Sequence, residues 1–208
     1  MSVKPKTQSA VKHQNILSSA IELFCEQGFA TTSMDEIARL AQVSKQTVYS
    51  HFGSKNDLFV AAIESRVATY MFSETLLQDI DNPQQALVTF AEHFLQLLNS
   101  DEAIAVHRTC IAQAETHPEL ADMYYQAGPA RIIDMVAGYL QRLQIQGEYQ
   151  FSPLREASVR LLTALKGEVQ MRMELNLPAS AQMQRQGKYL ERTVAAFLQG
   201  HKCPCEAE

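Results

Sequence analysis

A chain of 208 residues, 46% of them apolar, can bury one real core or two small ones without disulfide or metal staples. Its formal net charge of -5 and pI near 5.7, taken as averages, speak against nucleic-acid binding. The four cysteines, Cys25, Cys110, Cys203 and Cys205, stand at irregular spacings, which excludes a disulfide-stapled secreted scaffold and favours a reducing compartment.

The average charge hides an asymmetry. Residues 1–66 carry seven Lys/Arg against six Asp/Glu, net +1, whereas residues 67–208 carry eleven against seventeen, net -6. The first 21 residues hold Lys4, Lys6 and Lys12 and no acid, so a small basic front end is joined to an acidic body. The N-terminus lacks the apolar core of a signal peptide, and the longest uninterrupted apolar run, Leu58 to Ile63, is too short to cross a bilayer. The expectation is a cytoplasmic protein with no membrane partner.

Periodicity is helical nearly throughout, and no alternating strand-like run appears, so the predicted class is all-α. The first helix is expected from about Ala10 to Gln27, ended by Gly28 in a left-handed conformation, with Phe29 folding back on Phe24. Ser33 with Glu36 three residues on forms a capping box for a short helix, Met34 to Ala41. Ser44 caps a second short helix, Lys45 to about His51. Ser54 with Asp57 caps a long one running to about Gln78. Asn82 and Pro83 restart the chain as N-cap and first helical residue. Further helices are expected near 83–99, 101–116, 118–127, 129–145, 153–175 and 180–199, with breaks at Pro118, Gly128-Pro129, Gly147, Ser152-Pro153 and Asn176-Leu177-Pro178.

The two short helices joined by Gln42-Val43-Ser44 have the length and turn of a helix-turn-helix. Ile37, Ala38, Leu40, Ala41, Val43 and Val48 lie where such helices pack, which leaves Lys45, Gln46, Thr47, Tyr49 and His51 on the outer face. Those are residue types that read a major groove: Gln bonds an adenine edge in two places, Thr meets a base or thymine methyl, and Lys reaches guanine or phosphate. The helix starts at Ser33 and Ser44, the Tyr49 hydroxyl, His51 and Lys55 are suited to phosphates. Spacing alone leaves an ordinary helical corner with solvated side chains equally open.

The stretch from Gly28 to Phe59, reading G-F-A-T-T-S-M-D-E-I-A-R-L-A-Q-V-S-K-Q-T-V-Y-S-H-F-G-S-K-N-D-L-F, resembles the DNA-binding domain of the TetR family of bacterial transcriptional regulators, over about residues 10–60. The resemblance implies that Lys45, Gln46 and Thr47 read bases while Thr32, Ser33, Tyr49, His51 and Lys55 hold phosphates. Gln42 stands where the family usually has a turn glycine, and Gln46 where it often has glycine or proline. The stretch from Val106 to Pro129, reading V-H-R-T-C-I-A-Q-A-E-T-H-P-E-L-A-D-M-Y-Y-Q-A-G-P, resembles the regulatory domain of the AefR-like branch of that family.

One short recognition helix supplies few contacts, so helix-turn-helix proteins usually bind as two-fold dimers. The last two long helices carry apolar stripes: Leu154, Ala157, Leu161, Leu165, Val169 and Met173 on one, and Met183, Leu190, Val194 and Phe197 on the other. Gly167 is small enough for a partner backbone to approach. Periodicity leaves packing into the same subunit equally open, and the resemblance implies a dimeric four-helix bundle. Candidate linings of a ligand pocket are Phe90, Phe94, His107, Cys110, Gln113, Met123, Tyr124, Met135, Tyr139, Met171 and Arg172, although for each of them taken singly ordinary core packing is the favoured role.

Other chemistry finds less support. His201, Cys203 and Cys205 in the tail offer metal or redox ligands but follow Gly200, a helix stop, so a frayed end is expected. His107 with Cys110, and His117 near Glu115 and Glu119, lack a nucleophile turn and an oxyanion hole. The sequence therefore points to an N-terminal three-helix DNA-binding domain over residues 1–55, a helical regulatory and dimerisation domain over 56–200, and a flexible tail over 201–208. Its expected partners are a palindromic double-stranded operator, a second copy and a small-molecule effector, with no metal and no cofactor. A helical scaffold that no longer reads DNA, and a small helical enzyme using His107 or Cys110, are the competing classes.

Overall fold

The computed structural model describes residues 8–71 and 76–203. Its elements are α1 (Gln8–Thr31), α2 (Met34–Leu40), α3 (Lys45–Phe52), α4 (Lys55–Met71), α5 (Pro83–Leu98), α6 (Asp101–Gln113), α7 (Pro118–Tyr125), α8 (Arg131–Ile145), α9 (Leu154–Glu174), α10 (Ser180–Met183) and α11 (Gln186–Gly200). Among the described residues the one β feature is an isolated antiparallel bridge between Tyr149 and Lys202. The predicted all-α class holds.

The chain forms two compact units. Of the described residues, one unit comprises those up to Arg66 together with Asp101–Ala127, and the other comprises those from Val67 to Ser100 together with those from Gly128 on. In the first, Ile16, Ala20, Phe24, Ile37, Val48, Leu58 and Phe59 are essentially inaccessible. Each large apolar side chain among them contributes about 1.5–3 kcal/mol on burial. Phe24, Phe29 and Phe59 form an aromatic trio with ring centroids 5.1–5.6 Å apart. Helix α6 packs on α1, where the Cys25 thiol donates to the Glu102 carbonyl at 3.9 Å. The Arg66 guanidinium bonds the Glu102 carboxylate at 3.0 Å.

Gly28 interrupts α1 with φ 82° and ψ 169°, a positive φ that a Cβ would penalise, as expected of a glycine here, and Phe29–Thr31 add a turn beyond the expected end at Gln27. The contact of Phe29 with Phe24 is present at 5.6 Å.

In the second unit α5, α8, α9 and α11 pack together around Phe90, Phe94, Val136, Leu140, Leu143, Leu161, Leu165, Leu190 and Val194. The loop before α5 is held by its own polar groups. Asp79 accepts the N–H of Asp81 at 3.0 Å and of Asn82 at 2.9 Å, and its other oxygen takes the Asn82 amide at 3.1 Å. Asn82 and Pro83 hold the N-cap and first-turn positions as expected, but the Asn82 side chain is turned to Asp79 and makes no capping bond to α5. From α8, the Tyr139 hydroxyl donates to the Asp79 carbonyl at 2.7 Å and Arg142 donates to the Leu77 carbonyl at 2.6 Å.

Three further expectations need correction. Gly128-Pro129 does not break the chain: a π-helical turn, Gln126–Ala130, carries it into α8, its wide ring accommodating the missing proline N–H. The single helix expected near 180–199 is two, α10 and α11. His201–Cys203 are not loose, because the Gln150 N–H donates to the His201 carbonyl at 2.8 Å and the Cys203 N–H to the Glu148 carbonyl at 2.9 Å. The His201 ring lies 5.0 Å from Phe151 and 4.5 Å from Phe197. Cys205 lies outside the described residues.

Candidate nucleic-acid interface

The short helices have the boundaries that capping chemistry predicts. The Ser33 hydroxyl oxygen accepts the Glu36 N–H at 3.2 Å, while Glu36 accepts the Ser33 N–H at 2.9 Å, so both halves of the capping box are present. Those bonds from Ser33 hold the Glu36 carboxyl below its usual pKa. Ser44 accepts the Thr47 N–H at 3.1 Å and shares a 2.8 Å hydroxyl contact with Thr47. Ser54 and Asp57 do the same for α4 at 3.1 Å and 2.6 Å. Between α2 and α3, Gln42 adopts φ 56°, the left-handed conformation that glycine usually supplies, and the Val43 N–H closes the turn on the Ala38 carbonyl at 3.0 Å.

Val48 and Phe52 anchor α3 in the core. This fixes what the opposite face presents. Gln46 and Tyr49 are exposed, Tyr49 by 44%, and their side chains make no hydrogen bond among the described residues. Lys45 is exposed but bound: its ammonium lies 2.9 Å from Asp35 of α2, which raises its pKa. Thr47 is half-buried against Ser44. His51 stands edge-on to His13 at 5.7 Å, and His13 stacks on Phe52 at 4.5 Å.

Two expected phosphate holders face inward. Thr32 is 1% exposed, its hydroxyl donating to the Gly28 carbonyl at 2.7 Å and the Leu23 carbonyl at 3.2 Å. Lys55 turns its ammonium to the Phe29, Thr32 and Ala30 carbonyls at 2.9, 3.0 and 3.4 Å. Sequence reasoning missed Asp35 and His13. Ten residues separate Asp35 from Lys45, and only the packing of α2 on α3 makes them neighbours.

The ligand candidates are divided. His107, Cys110, Gln113, Met123 and Tyr124 lie in the first unit, with the His107 and Tyr124 rings 5.7 Å apart and the Gln113 amide oxygen buried without a hydrogen-bond partner among the described residues. Burial pushes the Cys110 thiol up to about 11, so it stays protonated and a poor nucleophile at neutral pH. Phe90, Phe94, Met135, Tyr139, Met171 and Arg172 lie in the second. There Phe90 stacks on Phe94, Tyr139 is bonded to the loop, Met171 is 62% exposed, and Arg172 bonds the Pro178 carbonyl at 2.7 Å.

Most of the expected dimer stripe is occupied within its own unit. Leu161, Leu165, Val169, Leu190 and Val194 are already buried there, and Leu154 is half-buried. Phe197 stacks on Phe151. Gly167 does not offer open space. It kinks α9 at φ 57°, and a Cβ there would lie 3.0 Å from the Tyr189 ring, whose hydroxyl donates to the Ala164 carbonyl. Only Met183 of that set is exposed, at 40%.

Residues 16–62 match the family described as bacterial regulatory proteins, tetR family, and residues 85–202 match the AefR-like transcriptional repressor C-terminal domain. The HTH-type transcriptional repressor NicS of Pseudomonas putida is 35% identical over 74 residues, a stretch covering only 35% of each chain. A solved TetR-family structure from Mesorhizobium loti has a TM-score of 0.77 at 26% identity, covering 95% of this chain and 100% of that one. The flavonoid-responsive regulator FrrA has a TM-score of 0.74 at 27% identity, covering 93% and 98%. No described helix is long and apolar enough to cross a membrane.

Proposed function

The chain belongs to the TetR family of bacterial regulatory proteins, and on that footing we propose that it is a homodimeric repressor that leaves a palindromic operator when a small molecule binds its C-terminal part. The observation carrying the DNA reading is α3 itself: a helix capped at Ser44, anchored by Val48 and Phe52, that holds the Gln46 and Tyr49 side chains exposed and without hydrogen bonds among the described residues. In this reading α3 enters the major groove, Gln46 bonds a base edge with Lys45 and Thr47 beside it, and Ser33, Ser44, Tyr49 and His51 meet phosphates. Lys45 exchanges Asp35 for DNA on binding.

The second copy is proposed to cover apolar side chains that the chain leaves exposed in α9, α11 and the segment between them: Val159, Met171, Leu175, Leu177, Met183 and Tyr189. The two recognition helices then meet major grooves one turn apart, about 34–36 Å. An effector that binds better to a dimer of different spacing releases one half-site, by as much as its differential affinity for the two states. FrrA is flavonoid-responsive by name, which makes planar aromatic compounds the first class to screen. The cytoplasm, where DNA is met, is the proposed compartment.

The test is selection from a pool of random duplex DNA at one stated salt concentration, followed by sequencing of the bound fraction. An enriched palindrome supports a dimeric reader. No enrichment from folded, ligand-free protein rejects it in favour of a scaffold.

A further inference from the structure

We propose that Lys55 is a positioning residue: its ammonium pins the end of α1 to the start of α4 and so sets the seat of α2, in place of the phosphate contact that the sequence resemblance implies. The proposal rests on the DNA-binding reading above for its functional consequence, and on geometry alone for the pin.

An ammonium has three N–H donors. Those of Lys55 have three carbonyl partners, Phe29 at 2.9 Å, Thr32 at 3.0 Å and Ala30 at 3.4 Å, and the charge lies 4.4 Å from the centroid of the Phe29 ring. The last carbonyls of a helix lack partners within it and carry its negative dipole end. Here the ladder is also broken at Gly28, so the turn after it needs an outside donor more than an ordinary helix end does.

The position of Lys55 in its own helix makes the same point. It is the first residue of α4, where the positive end of the dipole disfavours a cation. Reaching to the C-terminal end of α1 turns that conflict into an attraction between two opposite helix ends. Partial burial lowers the Lys55 pKa, the direction expected of an ammonium drawn out of water.

The pinned carbonyls lead directly to the DNA face. Thr32 precedes Ser33, the cap of α2, and its own buried hydroxyl is tied to Gly28 and Leu23. Helix α2 packs on α3 and supplies Asp35 to Lys45. Freeing the junction therefore tilts α2 and displaces the recognition helix, although Lys55 touches no base.

The experiment uses the full chain, with Lys55→Met to keep the aliphatic stem over Phe29 and Lys55→Arg to keep the charge. Backbone amide resonances of Ser33 and Glu36 are read without DNA. Affinity for a random-sequence duplex is then read across a salt series. The expected result is that Lys55→Met moves both amides and weakens binding several-fold with an unchanged salt slope, while Lys55→Arg restores most of the affinity. Unmoved amides with a slope flattened by about 0.9 would make Lys55 a phosphate contact and overturn the proposal. Full affinity in Lys55→Met would overturn it as well. If Lys55→Met does not fold, the wild-type side-chain ammonium signal decides: protected from exchange and unmoved by duplex supports the pin, whereas a shift on adding duplex overturns it. Wild-type protein that binds no duplex defeats the DNA reading, and the amide readout still tests the pin.

Discussion

Gln46 and Gln42 are two glutamines that depart from the family resemblance, which has glycine or proline at the first position and a turn glycine at the second, and they matter for opposite reasons. Gln46 is an exposed donor and acceptor with nothing to bond among the described residues, so Gln46→Ala should leave folding intact and relax sequence choice; an unchanged preference in the random-duplex selection would remove it as a base reader. Gln42 holds φ 56° against the steric preference of a side chain. Gln42→Gly should therefore raise stability by about 1 kcal/mol, seen as a higher midpoint in urea. Glu36 ties stability to pH. Its folded pKa lies below the ordinary 4.5, so its contribution is present above that value and disappears as pH falls through the lowered one. Glu36→Gln keeps a capping side chain without the charge, so it should melt earlier than wild type near neutrality and converge with it in acid. The capping residues were legible in the sequence because each acts within three positions of itself. The inward turn of Thr32 and Lys55 was not, since their partners lie on another helix or behind the break at Gly28.

Helix ends were easier to foresee than helix faces. Ser33, Ser44, Ser54 and Pro83 start elements where short-range chemistry says they should, and Asn82 takes the N-cap position, but its side chain makes no capping bond while its amide nitrogen donates to Asp79. The apolar stripes of α9 and α11 were visible, yet periodicity cannot say whether a stripe meets its own subunit or another. Leu161, Leu165, Leu190 and Val194 settle into their own unit, and the exposed apolar residues lie elsewhere on those elements. Gly167 also misleads from sequence, as its value is a backbone angle and not free space. Gly167→Ala should cost at least about 1–2 kcal/mol from the positive φ alone, with Tyr189 displaced from Ala164, measurable as a lower urea midpoint and altered tyrosine fluorescence.

At the scale of the molecule, net charge was a poor guide and its distribution a good one: a chain of net -5 keeps its surplus acid beyond residue 66. If α9 and α11 carry the dimer face, Met171→Glu with Leu175→Glu should shift the sedimentation coefficient to that of a single chain and weaken operator binding together, because a half-site alone holds little affinity. A chain that stays dimeric would place the face elsewhere. The first unit, finally, is assembled from two separate lengths of sequence, and α6 from the second lies on α1 from the first, with Thr109 3.5 Å from where a side chain on Gly28 would begin. A DNA-reading head transplanted from a relative as one N-terminal cassette would therefore arrive with a foreign lining against α1. Working chimeras need residues 101–127 exchanged along with the first 66, and a truncated head expressed alone would bare the surface that α6 now keeps dry.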